Sequence, residues 1–176
     1  INNIVKSPKR MEIILKWLGL FARHNRKILI LSERREHLKL IHKNASSLGL
    51  ECGFYWGGMS QTNLKESESK QIILGTYHMI SEGFDLSSLD SLIFASPKTD
   101  VVQATGRILR QGKNRPTIPV IVDIRDNTEY FKKKCQTRMK YYKKNDFVIS
   151  ECSDVPTSNL IMRKNNNNTL MSNNAV

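Results

Sequence analysis

Cysteine is scarce in this chain. Cys52, Cys135 and Cys152 lie far apart, with no Cys-x-x-Cys and no histidine at ligand spacing. Neither a zinc site nor a disulfide framework is expected, and a reduced, intracellular compartment fits this usage best. Long apolar runs are also missing. Lys27-Ile-Leu-Ile-Leu31 is far shorter than the roughly 20 residues that span a bilayer, so no membrane partner is implied. No signal-peptide pattern opens the chain, and its first residue, Ile1, suggests a segment of a longer polypeptide. No Gly-x-x-x-x-Gly-Lys-Ser/Thr occurs, so nothing here cradles β- and γ-phosphates. An Asp-Glu pair after a strand is absent, as is the Gly-rich strand-to-helix turn of dinucleotide-binding enzymes. No internal repeat is visible, and none of the four histidines has a spacing that suggests catalysis. Acidic residues are few. Asp and Glu number 16 against 28 Lys and Arg, a net charge of +12. Such a surplus favours a polyanionic partner, because neutralising phosphates releases counterions from nucleic acid. The same surplus also serves solubility, so charge alone leaves both readings open.

What is present is the alternation of an α/β domain. The 176 residues, 39% hydrophobic and 25% charged, suffice for one domain with one substantial core. Ser7-Pro8 reads as a helix cap followed by Pro at the first helical position. Met11, Ile14, Leu15 and Leu18 then predict a helix from residue 8 to about 23. The apolar run 28–31 predicts a buried parallel strand, and 34–48 a helix ended by Gly49. Strands are expected at 51–56, 72–74, 92–95 and 118–124, and helices at 99–111 and 127–143, with an edge strand over 147–149. Strands separated by helices indicate a mostly parallel sheet with helices on both faces. After residue 150 the pattern stops. Residues 151–176, with Asn165–Asn168 at their centre, are expected to be an Asn/Ser-rich disordered linker or tail beyond a domain of residues 1–150.

The segment with the most chemistry is Gln103-Ala-Thr-Gly-Arg-Ile-Leu-Arg110. At 100° per residue, Gln103, Gly106, Arg107 and Arg110 share one helix face, and Val101, Ala104, Ile108 and Leu109 the opposite side. Two guanidinium groups then stand one turn apart beside a glycine, which lets something bulky approach. Guanidinium forks suit phosphate oxygens and can neutralise charge on a transferring phosphoryl group. A solvated basic face, salt-bridged to its neighbours, gives the same pattern.

Gln103-x-x-Gly106-Arg107-x-x-Arg110 resembles motif VI of superfamily 2 helicases. Thr76-Tyr-His-Met-Ile-Ser-Glu82-Gly83-Phe84-Asp85 resembles motif V, and Leu29-Ile-Leu-Ser32 before a helix resembles motif IV. Tyr55-Trp-Gly57-Gly58 stands where these proteins carry a further strand-end element. All four occur in the family's order across residues 27–125, each just after a predicted strand. Within the superfamily, the stretch from Gly57 to Glu68 and the basic, Tyr-rich helix Arg138–Lys144 are similar to XPB-like helicases of large DNA viruses.

The resemblance implies the second, C-terminal RecA-like domain of a DEAD/DEAH-like motor: a three-layer α/β sandwich with a mostly parallel central sheet. It implies ATP with Mg2+, held mainly by a first RecA-like domain upstream in the same polypeptide, and nucleic acid, read as DNA, as the other partner. Arg107 and Arg110 match the arginines that reach across the cleft to ATP, with Gln103 orienting them and Gly106 beside them. Gly83 and Asp85 match the end of motif V near the ribose, although Asp85 also suits a loop carboxylate or a cap. Thr76 can donate to a backbone phosphate or cap a helix. Ser32 and Arg34 are candidate phosphate contacts of a common kind. Gly57 and Gly58 suit close approach by a nucleic-acid strand, or a tight turn with no ligand. Lys132, Lys133, Lys134, Arg138, Lys140, Lys143 and Lys144 read first as a solvated helix surface and second as an auxiliary nucleic-acid contact. Trp56, beside the glycines, is the better base-stacking candidate; Trp17 reads as packed or docked against another domain. A nucleic-acid-binding module without motor activity is the rival function, and an unrelated α/β enzyme for phosphorylated small molecules a second.

Overall fold

A computed structural model describes residues 2–81, 86–109, 117–126, 128–152 and 169–175. The helices are α1 (Asn2–Val5), α2 (Pro8–Arg23), α3 (Arg35–Ser47), α4 (Gln61–Ser69), α5 (Tyr77–Ser81), α6 (Val102–Leu109) and α7 (Glu129–Lys144). The strands are β1 (Ile28–Ser32), β2 (Cys52–Tyr55), β3 (Ile72–Thr76), β4 (Ser91–Phe94), β5 (Val120–Asp126), β6 (Val148–Cys152) and β7 (Thr169–Ala175). They form one sheet in the order β2-β3-β1-β4-β5-β7-β6, with every neighbouring pair parallel.

The central strands read as unbroken apolar runs because both of their faces are covered. Successive side chains point to opposite faces. Ile28, Ile30, Ile72, Leu74, Ile93, Val120 and Val122 pack with Ile14, Trp17, Leu18 and Phe21 of α2 and Leu38 and Ile41 of α3. The alternate residues Leu29, Leu31, Ile73, Leu92, Phe94 and Ile121 face Leu64 of α4, Tyr77 and Ile80 of α5, Ala104 and Ile108 of α6, and Tyr142 of α7. This is the RecA-like three-layer sandwich expected. Each fully buried side chain of this size stabilises it by about 1.5–3 kcal/mol. Trp17 is one of them, at 0% exposure.

Caps set several boundaries. Ser7 accepts from the Arg10 N–H, and Pro8 opens α2 as its fixed φ allows. Three helices run into a residue in the left-handed region: α2 at Asn25 (φ 52°), α3 at Gly49 (φ 74°) and α7 at Asp146 (φ 55°). Ser60 caps α4, whose side chain accepts from Asn63 N–H. The sequence reading left α4 and the short α5 as connections. A parallel β2-to-β3 step nevertheless requires a crossover, and α4 supplies it. It lies so close to the sheet that a Cβ on Gly53 would come within 2.6 Å of the Ser67 Cα.

The expected disordered tail over 151–176 does not hold for its two ends. Residues 151 and 152 continue β6, and 169–175 are β7, inserted between β5 and β6. The polar composition that argued for disorder describes the segment as a whole. Backbone pairing can enlist a short stretch such as Thr169-Leu-Met171 that composition averages away. Residues 153–168 lie outside the described ones.

Three arginines are buried and tied down. Arg138 of α7 grips Asp123 of β5 with two bonds of 2.7 Å, and donates a third, also 2.7 Å, to the Lys98 carbonyl. Tyr142 donates to the same carboxylate at 3.0 Å. Burial opposes the charge on Arg138, but the adjacent Asp123 outweighs it and pushes the guanidinium pKa up. Arg10 donates to the Ala95 carbonyl at 2.8 Å and to Asp126, and Arg26 to Ser91 and to the carbonyls of Asp90 and Ile118. The reading of α7's seven cations as one solvated surface therefore needs correction at Arg138, which lies in its buried stripe with Phe131, Cys135 and Tyr142. A lone carboxylate in a buried strand must find a partner, and Arg138 is that partner.

Candidate functional site

Because all strands are parallel, their carboxyl ends share one edge, where open α/β sheets bind ligands. Register places Ser32 beside Thr76, Leu31 beside Phe94, and Tyr55 beside Gly75. Glu33, Gly57, Tyr77 and the 95–100 loop therefore all leave the sheet at that edge. A cleft of about 540 Å³ opens there between α5 and α6, lined by Glu33, Tyr77, His78, Ile80, Lys98, Asp100, Gln103 and Ala104.

The cleft walls are held by short polar contacts. The buried Tyr77 hydroxyl donates to the Ser96 carbonyl at 2.7 Å, and the Glu33 N–H donates to the Ser96 hydroxyl at 2.9 Å. Lys98 pairs with Glu33 at 2.6 Å and lies 5.3 Å from the centre of the Tyr77 ring. Burial pushes the Tyr77 pKa far above the ordinary phenol value, so the group remains an O–H donor. Arg138 holds the Lys98 carbonyl from beneath, which joins the loop before α6 to β5.

Helix α6 starts where Asp100 accepts from the Val102 N–H at 3.0 Å. Val101, Ala104, Thr105 and Ile108 are its buried side, and the Thr105 hydroxyl meets Tyr141 OH of α7 at 2.8 Å. This matches the predicted apolar face and adds Thr105 to it. Gln103 is exposed on the cleft wall, and Arg107 is half-buried in the last turn. Arg107 makes no hydrogen bond or ion pair among the described residues. A Cβ on Gly106 would meet nothing within 4 Å, so the glycine leaves open space beside Arg107. Arg110, Gly83 and Asp85 lie outside the described residues.

The remaining candidates divide. Thr76 ends β3 half-buried, directly before α5, a place that suits both of its readings. Arg34 is exposed at the start of α3. Ser32 is fully buried: its hydroxyl meets His37 Nδ1 at 3.0 Å and accepts from the Arg34 N–H at 3.3 Å. The expectation that Ser32 contacts a phosphate is corrected, since its oxygen braces the β1–α3 turn. His37 is buried too, and desolvation, helped by the charge of Arg10, lowers its pKa to about 4. It is neutral at physiological pH, and a Ser32 O–H donating to Nδ1 fits that state. Gly58 has φ +87°, so the turn itself requires glycine, whereas a Cβ on Gly57 would meet its neighbours only at 3.7 and 3.8 Å.

Asp123, Arg138, Tyr77 and Tyr142 were missed as a group. Asp123 alone carried a signal, a charge inside the apolar run Val120–Ile124. Among the described residues no cluster of His, Cys, Asp or Glu could hold a metal ion, and no helix is long and apolar enough to cross a membrane. Burial raises the Cys52 thiol pKa to about 12, which leaves it unreactive as a thiolate.

The chain is similar to known proteins. Two viral relatives bear the name "Putative ATP-dependent RNA helicase". L396 of Acanthamoeba polyphaga mimivirus is 35% identical over 86% of this chain and 30% of its own length. QP509L of African swine fever virus is 27% identical over 87% of this chain and 34% of its own length. The chain thus spans about a third of the length of these relatives. The crystal structure of T4 UvsW superposes with a TM-score of 0.66 at 20% identity, covering 98% of this chain and 36% of that one, a likeness of fold. The helicase conserved C-terminal domain matches residues 9–112, which takes in the cleft, α5 and α6. On that match the chain belongs to the helicase conserved C-terminal domain family.

Proposed function

We propose that this chain is the C-terminal lobe of an ATP-driven nucleic-acid helicase or translocase, supplying arginine fingers to ATP held by an upstream RecA-like domain. The observation that carries this reading is Arg107: α6 packs firmly through Ala104, Thr105 and Ile108, yet leaves this guanidinium without a partner among the described residues. The alternative is a solvated basic face of the kind that carries the exposed pairs Lys39–Glu36 and Lys132–Glu129.

In this proposal Arg107 and Arg110 stabilise negative charge developing on the transferring phosphoryl group. Gln103 orients them from the cleft wall, Gly106 keeps their surroundings open, and Gly83 and Asp85 approach the ribose. ATP with Mg2+ supplies the phosphoryl chemistry, and this lobe contributes charge and position. Thr76, Arg34 and the Gly57-Gly58 turn face the nucleic-acid backbone. The names of the viral relatives specify RNA, whereas the sequence reading took DNA; a backbone grip suits either. The XPB-like kind carried by large DNA viruses is the proposed branch, on the Gly57–Glu68 stretch and the basic Tyr-rich helix.

The test replaces Arg107 and Arg110 by Ala, separately, in the polypeptide that carries both lobes. Lost ATPase with retained nucleic-acid binding supports the motor; unchanged ATPase assigns the chain to the non-motor binding module. The isolated chain, lacking a phosphate-binding loop, should hydrolyse ATP negligibly, and brisk hydrolysis by it would contradict the half-motor reading.

A further inference from the structure

An aromatic ladder stands on the sheet edge outside the cleft. His42 of α3 lies 4.6 Å from Phe54 of β2, and Phe54 lies 4.3 Å from Trp56, ring centre to ring centre. The ladder ends in a cation: the Arg35 guanidinium lies over the Trp56 ring at 5.7 Å. Arg35 also donates to the Gly57 carbonyl at 2.5 Å. The guanidinium is therefore fixed over the indole by a neutral acceptor, and among the described residues no carboxylate pairs with it. The acidic residues nearest in sequence are engaged elsewhere, Glu33 with Lys98 and Glu36 with Lys39. Arg35 and its neighbour Arg34 are both exposed. Immediately beyond, a Cβ on Gly58 would meet nothing within 4 Å, so the space in front of the turn is open.

We infer that the Arg35–Trp56 pair is a stacking platform for an unpaired base of single-stranded nucleic acid. The inference rests on the reading that nucleic acid is the partner, and deepens it by adding a contact to a base where that reading has backbone contacts only. Bases stack on indole rings and on guanidinium planes alike, independently of sequence, because every base has a π-face. Here the plane is anchored in advance by Gly57, so little side-chain freedom is lost on binding. The two free charges of Arg34 and Arg35 suit the phosphates flanking that base.

The structure supplies its own reporter. Trp17 is fully buried in the core, so a change in tryptophan emission on adding an oligonucleotide reads Trp56. The chain is titrated at low ionic strength with oligo(dT), oligo(rU) and an abasic phosphodiester strand of equal length. The base-bearing strands should quench the emission and bind about tenfold more tightly than the abasic strand, as one stacked base requires. Trp56→Ala should lose most of that advantage while leaving abasic binding almost unchanged, Arg35→Ala should lose it and also weaken the abasic strand modestly through the missing phosphate charge, and Trp56→Phe should keep it. Equal affinity for abasic and base-bearing strands, measured on the unmutated protein, overturns the platform and leaves the backbone reading standing. Binding of no strand at all overturns both.

Discussion

The buried arginines and Arg107 use one side chain in opposite ways. Arg138 meets the Asp123 carboxylate, the Lys98 carbonyl and a neighbouring tyrosine that shares the carboxylate. Arg10 and Arg26 likewise bridge strand ends to loops. Arg107 of α6 has no partner among the described residues although it is half-buried. The contrast separates the positive charges that hold the lobe together from one that no described residue pairs.

The sharpest way to break the contrast is Arg107→Ala in the two-lobe polypeptide. ATPase should fall by about 10³-fold or more, while the melting temperature of this lobe stays within a degree or two of the parent by calorimetry. A large loss of stability instead would make Arg107 one more structural arginine. Arg138→Met should do the reverse. Leaving Asp123 buried without its partner should cost about 3–5 kcal/mol in urea unfolding, and adding Asp123→Asn should restore part of it. Arg10→Met should cost less, about 1–3 kcal/mol, because Asp126 loses one bond where Asp123 loses two. A cost equal to that of Arg138→Met would erase this grading.

The smallest effect is a pH dependence on the tied-down side. His37 titrates at about 4 in the folded chain against 6.5 as a free side chain. Between those values the unfolded chain binds a proton that the folded chain does not, so stability rises with pH across this window. It is lost as pH falls from 6.5 toward 4, by up to about 1.4 kcal/mol per pH unit. Urea midpoints measured from pH 6.5 to 5 should follow that slope in the parent and flatten in His37→Gln. An unchanged slope in the variant would assign the dependence to other groups.

Sequence legibility followed the same division. The strands β1, β3, β4 and β5 announce themselves because both their faces are buried, and the apolar side of α6 because its spacing is helical. Gln103 and Arg107 were placed from that spacing alone. Ser32 was misread because a serine at a strand end looks the same whether it faces solvent or His37, and only packing distinguishes them. Arg138 was absorbed into a run of surface lysines, since Lys and Arg count equally in a charge pattern but not in a buried bidentate pair. Helix α4 was hidden by a polar sequence, and β7 by the asparagines before it.

Asn25 and Asp146 show where the fold has slack. Both hold a left-handed backbone conformation that costs a side-chain-bearing residue energy, at the same step after a helix where α3 has Gly49. Glycine at either place relieves that strain while freeing the unfolded chain somewhat, so any net gain is small. Both positions follow α2 and α7 rather than the cleft-facing α5 and α6. The lobe thus has room to drift in thermal tolerance at its helix ends without altering the surface that works.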